Sequence, residues 1–164
     1  MDSLPRIGVL ASGTGRSLEN LAAEAREGSL PARIALVVCN VPDAPALQRA
    51  RRLELPTAVI PHRDAPDARS FSAAVFRALE QAGCQLAVLA GFLRKLLLDP
   101  AWEGRVLNIH PSLLPAFGGK GYWGSHVHRG VLERGCKLLP VLVGLARDRD
   151  PAVVARAGER AVRC

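Results

Sequence analysis

Short apolar runs alternate with stretches in which apolar residues return every three or four positions. Residues 6–10, Arg-Ile-Gly-Val-Leu, form the first run and predict a buried strand. Leu18, Leu21, Ala22 and Ala25 then keep helical spacing, and Gly28 is placed to stop that helix. Residues 34–39 are apolar and rich in β-branched side chains, as expected of a parallel strand covered on both faces. A turn over 40–45 follows, with Asp43 read as the N-cap of a helix over 45–53. Residues 57–60 predict a third strand, and a loop around His62 and Pro66 leads to a helix over 69–82 that ends at Gly83. Residues 85–89 predict a fourth strand, 90–94 its outgoing loop, and 105–107 the end of a buried fifth strand. Strands and helices alternating at this rhythm define the fold class as α/β: a Rossmann-like, mostly parallel sheet with helices on both faces.

Composition narrows the setting. A chain of 164 residues, 49% hydrophobic and 23% charged, suits one ordinary domain with a core. It has no uncharged apolar run of membrane-spanning length, and Asp2 does not suit a signal peptide, so a cytoplasmic location is expected, without a membrane partner. The four cysteines, Cys39, Cys84, Cys136 and Cys164, lack metal-site spacing and read as reduced, mostly buried thiols. The formal charge of +7 invites a nucleic-acid reading. Against it, the arginines are scattered, Arg49, Arg51 and Arg52 do not share one helix face, and no aromatic residues interleave with them. A positive field serves small phosphate and carboxylate substrates equally well, and no nucleic-acid partner is expected.

Two stretches carry candidate chemistry. Between the first strand and the first helix lies Ala11-Ser12-Gly13-Thr14-Gly15-Arg16-Ser17. Strand, glycine-rich turn and helix aim backbone N–H groups and a helix dipole at a phosphate. The P-loop Gly-Lys-Ser/Thr is missing, and Leu18 stands where a dinucleotide fingerprint has its third glycine, so a monophosphate is the better match. A tight structural turn is the plainer reading of the same residues. The second stretch is residues 107–115, Leu-Asn-Ile-His-Pro-Ser-Leu-Leu-Pro. In a strand Asn108 and His110 project to one side, with Ile109 turned to the core. An amide donor beside an imidazole suits a developing oxyanion, and the carboxyl ends of strands are where open α/β sheets hold ligands. A core histidine bonded to backbone is the alternative. The glycine-rich segment 117–124 reads either as a lid or as an ordinary excursion.

Together these motifs resemble the phosphoribosylglycinamide formyltransferase family, folate-dependent enzymes of purine synthesis. The resemblance rests on residues 11–18, 90–94, 108–115, 117–124 and 126–128, in family order from about residue 6 to 137. It implies the formyltransferase fold and transfer of a formyl group from 10-formyltetrahydrofolate to the amine of phosphoribosylglycinamide, with no metal. It implies that Gly15, Arg16 and Ser17 bind the ribosyl phosphate. It likewise assigns folate contacts to Arg69, Leu93, Arg94, Lys95, Leu96 and Asn108, and makes His110 the catalytic proton donor beside Asn108. A free imidazole titrates near ~6.5, and the family raises that value with an aspartate in an Asp-x-Gly-Pro-like segment.

Here the resemblance stops. Gly135-Cys136-Lys137 matches a family turn, but residues 138–144 replace the expected strand and no Asp-x-Gly-Pro follows. The expected organisation is a formyltransferase-like domain over 1–137 and a divergent tail over 138–164, in the same domain or poorly ordered. A C-terminally shortened or frameshifted reading frame accounts for the tail; divergence with Asp148 or Asp150 as the carboxylate is the alternative. A sheet lacking its last strands exposes an apolar edge, which predicts low stability or self-association, as monomer or homodimer. Two other functions stay open: an impaired folate- and phosphate-binding remnant, or another 10-formyltetrahydrofolate-dependent enzyme.

Overall fold

The computed structural model describes residues 4–108. Its elements are β1 (Arg6–Ala11), α1 (Arg16–Glu27), β2 (Arg33–Cys39), α2 (Pro45–Arg52), β3 (Thr57–Val59), α3 (Ala68–Gln81), β4 (Leu86–Leu89) and β5 (Val106–Asn108). Two 3-10 turns, His62–Asp64 and Pro100–Trp102, punctuate the loops. Among the described residues the strands form one sheet in the order β3-β2-β1-β4-β5, with every pairing parallel. The chain winds outward from β1 to β3, returns across β1, and continues to β4 and β5. The strand order therefore reverses between β1 and β4, the kind of crevice where doubly wound sheets hold ligands.

Side-chain alternation divides the core between the two faces of this sheet. On one face Ile7, Val9, Ile34, Val37 and Val88 pack against Leu18 and Ala22 of α1 and Ala50 of α2. On the other, Leu10, Leu36, Val38 and Ala87 meet Phe71, Val75, Phe76 and Leu79 of α3, with Trp102. Val9, Leu10, Val37 and Val38 are wholly buried, and each such side chain contributes roughly 1.5–3 kcal/mol. The helices accordingly cover both faces, as the pattern predicts. At Gly8, on the α3 face, an added Cβ would lie 2.1 Å from Leu79 Cδ2, so α3 packs where β1 offers no side chain.

Two local expectations need correction. Asp43 does not cap α2: Ala44 occupies the N-cap with φ −64° and ψ 135°, and no side chain caps the helix. Pro45 takes the first helical position and holds the preceding residue extended, so Asp43 falls one residue too early. The fifth strand is not buried either. β5 is the outer strand on its side of the described sheet, with Val106 half-buried against the core, Leu107 54% exposed and Asn108 exposed. Of its three residues, Val106 alone packs against the core. The tail over 138–164 and its boundary at 137 lie outside the described residues.

Candidate functional site

The loops leaving the carboxyl ends of β1, β2 and β4 are tied together by one buried hydroxyl. β1 ends at Ala11, and Ser12 turns inward, 7% exposed. Its backbone N–H donates to Gly91 O at 3.1 Å, and its Oγ accepts from Leu93 N at 2.9 Å. The same Oγ donates to Asn40 Oδ1 at 2.5 Å, and Asn40 is also buried. A hydroxyl that both donates and accepts fixes the glycine turn after β1 against the loop after β4. Ser12 and Asn40 went unselected at the level of sequence, although both lie inside stretches read as turns.

The glycine turn is seated on α2. Gly15 adopts φ 77° and ψ 21° as the N-cap of α1. A Cβ there would sit 2.7 Å from Ala46 Cα and 2.9 Å from its Cβ, so both the backbone angle and the space require glycine. Ala46 N donates to Gly13 O at 3.1 Å, closing the contact from the other side. Gly15 brings no capping side chain to the start of α1, the arrangement that accepts an anion at a helix N-terminus. Ser17 is half-buried and Arg16 exposed at that end. Glu19 in the first turn is ion-paired with Arg49 of α2, and Arg52 Nη2 lies 3.5 Å from the same carboxylate.

A second wall joins the start of α3 to the segment after β4. Asp67 caps α3 by accepting from Ser70 N at 2.7 Å, and this bond holds its carboxyl below the ordinary range. Ser72 Oγ donates to Ala68 O at 2.7 Å and accepts from Leu97 N at 2.9 Å, tying Leu97 to the helix start. Phe71 and Phe92 stack with ring centroids 6.3 Å apart, and His62 meets Phe71 edge-on at 6.5 Å. Arg69 stands exposed in the same first turn of α3. Leu93 is 70% exposed, Arg94 and Lys95 are exposed, and Leu96 packs on the core. Ser72, 2% exposed, is a third positioning residue that the sequence reading did not single out.

Asn108 closes β5 level with Leu89, which is level with Leu10. Two strand spacings separate it from β1, about 10 Å, on the same sheet end as the glycine turn. His110, and with it the convergence of Asn108 and His110, lies outside the described residues, as do the segments 117–124 and 126–128. Among the described residues no three His, Cys, Asp or Glu side chains group as metal ligands, and no helix is long and apolar enough to cross a membrane. Burial pushes the Cys39 and Cys84 thiols up, so both stay protonated and unreactive near neutrality.

A parallel sheet whose strand order reverses between β1 and β4, with a glycine turn, a helix start and an exposed Leu-Arg-Lys loop gathered at its carboxyl end, is of the doubly wound class, which holds ligands at such a switch point. A family model described as formyl transferase matches residues 5–147. The chain belongs to the formyl transferase family. It is 31% identical over 158 residues to phosphoribosylglycinamide formyltransferase of Bacillus subtilis (strain 168), covering 95% of this chain and 80% of the relative. It is 41% identical over 136 residues to the trifunctional purine biosynthetic protein adenosine-3 of Gallus gallus, covering 81% of this chain. It spans only 13% of that relative's length. Glycinamide ribonucleotide transformylase 1 from Symbiobacterium toebii superposes with a TM-score of 0.72 at 38% identity, over 84% of this chain and 63% of the other.

Proposed function

We propose that this chain transfers the formyl group of 10-formyltetrahydrofolate to the amine of N1-(5-phosphoribosyl)glycinamide, a step of purine nucleotide (IMP) synthesis. The observation that carries the reading is the Ser12 junction, which holds an anion-accepting helix start against the exposed Leu93–Leu96 loop. Two ligands, one phosphorylated and one with a flat apolar head, suit those two walls. In the proposed reaction the substrate amine attacks the formyl carbon and forms a C–N bond. The tetrahedral oxyanion is held by His110 and Asn108, the attacking amine gives up a proton, the bond to the folate nitrogen breaks, and that nitrogen takes up a proton with His110 as the donor. Gly15, Arg16 and Ser17 hold the phosphate. Arg69, Leu93, Arg94, Lys95, Leu96 and Asn108 hold the folate. No metal takes part, the protein works in the cytoplasm as a monomer or homodimer, and neither nucleic acid nor membrane is a partner.

The test is a formyl-transfer assay on the purified chain. His110→Ala is expected to reduce kcat by about 10²–10³, the usual effect of losing one oxyanion donor, while phosphorylated substrate still binds. Unchanged turnover in that variant removes His110 from the mechanism. Arg16→Ala is expected to raise KM for phosphoribosylglycinamide by about tenfold with kcat and folate KM nearly constant, since phosphate anchoring is uniform binding. An equal rise in both KM values contradicts the phosphate role. A second reading, binding of both ligands without turnover, is favoured by the sequence after Lys137, where residues 138–144 replace the expected strand and no Asp-x-Gly-Pro follows. The same assay separates the two.

A further inference from the structure

A carboxylate in the first turn of α1 is an odd neighbour for a phosphate. Glu19 stands four residues beyond Gly15, roughly one helical turn away. Left alone, its charge opposes the dipole that draws the anion. Here it is not alone. Arg49 reaches it from α2, Arg52 approaches its other oxygen at 3.5 Å, and the aliphatic stem of Arg49 runs behind the glycine turn. A Cβ at Gly15 would lie 3.3 Å from Arg49 Cδ. Among the described residues Arg49 Nε is buried without a hydrogen-bond partner, while its Nη1 meets the Glu19 carboxylate.

We infer that Arg49 is a positioning and charge-setting residue for the phosphate turn, cancelling Glu19 so that the start of α1 retains a net positive field for a phosphate monoester. This rests on the proposed phosphate site, and deepens it. One carboxylate faces two guanidiniums, so the cluster keeps an excess of positive charge at the anion end. A clamp that merely stapled α1 to α2 has the same contacts but the opposite response to removal of the acid. Under charge cancellation, losing Glu19 strengthens anion binding; under a clamp, losing either partner loosens the turn and weakens it.

The experiment titrates ribose 5-phosphate into the full chain by calorimetry, with Glu19→Gln, Arg49→Ala and the double variant alongside. Arg49→Ala is expected to weaken binding about tenfold and Glu19→Gln to tighten it about threefold, both effects shrinking as salt shortens the screening length below ~8 Å. The double variant is expected within about threefold of the parent, because the two charges leave together. Glu19→Gln binding no tighter than the parent overturns the inference, as does an unchanged Arg49→Ala affinity or a salt-independent effect. Glu19→Gln alone decides the sign if Arg49→Ala does not fold. A parent chain that binds no ribose 5-phosphate overturns the phosphate site itself, which is a different failure from a parent that binds while Glu19→Gln responds with the wrong sign.

Discussion

Ser12 shows how much a single hydroxyl can hold. Its Oγ is shared between Asn40 Oδ1 and Leu93 N, and the second partner lies 81 residues further along the chain. Removing the oxygen strands a donor in one loop and an acceptor in another, and a buried unsatisfied group costs about 1–3 kcal/mol. Ser12→Ala is therefore expected to lower unfolding stability by about 2 kcal/mol, read as a shifted urea midpoint with unchanged slope. If the proposed folate and phosphate sites hold, it is also expected to weaken both ligands together, since both walls hang on that oxygen. No local rule announces this. A serine between an apolar run and a glycine reads as a turn residue, and the partner amide is a backbone group that every sequence supplies. Gly15 was legible as a turn, but its contact with Ala46 belongs to the packing of α2 and was not.

At the scale of elements, apolar runs located β1, β2 and β4 to within a residue, because strands buried on both faces leave little room for polar positions. Ends governed by capping were harder to read. Pro45 moved the α2 cap to Ala44, and Asp67, one residue before α3, proved to be a true cap. The Ser70 backbone bond depresses the Asp67 pKa, so its contribution to stability is fully present above the unfolded carboxylate value of about 4 and is lost as pH falls through the lower folded value. Asp67→Ala is expected to lower Tm at neutral pH. The gap between variant and parent should close on acidification below about pH 4, as followed by circular dichroism melts. A gap independent of pH contradicts a charged cap. β5 departs from the buried reading because, within the described sheet, it pairs on one side only, with β4, and periodicity alone does not say which strands pair.

For the molecule as a whole, the alternating pattern fixed a parallel sheet with helices on both faces, while the return past β1 is a matter of which strand β4 pairs with. Long-range packing supplies that choice. Trp102 is wholly buried against Phe76 with centroids 5.3 Å apart, donates to Glu80 Oε1 at 3.1 Å, and lies 4.4 Å under the Arg105 guanidinium. It joins the segment before β5 to the far half of α3, and the sequence reading gave it no part. Trp102→Ala is expected to cost about 3–5 kcal/mol, measured by urea unfolding. A loss under 1 kcal/mol, against that ~3–5 kcal/mol, means the region closes without it.

The missing side chain at Gly8 has a consequence for how sequences of this kind can drift. With Leu79 wholly buried and its Cδ2 occupying the space a Cβ needs, neither position has freedom of its own. A methyl gained on the strand demands carbon surrendered on the helix, so the two sites form a lock that evolution can reset only by paired exchange. The spacing between α3 and the sheet, and hence the footing of the Arg69 turn, rests on that pair.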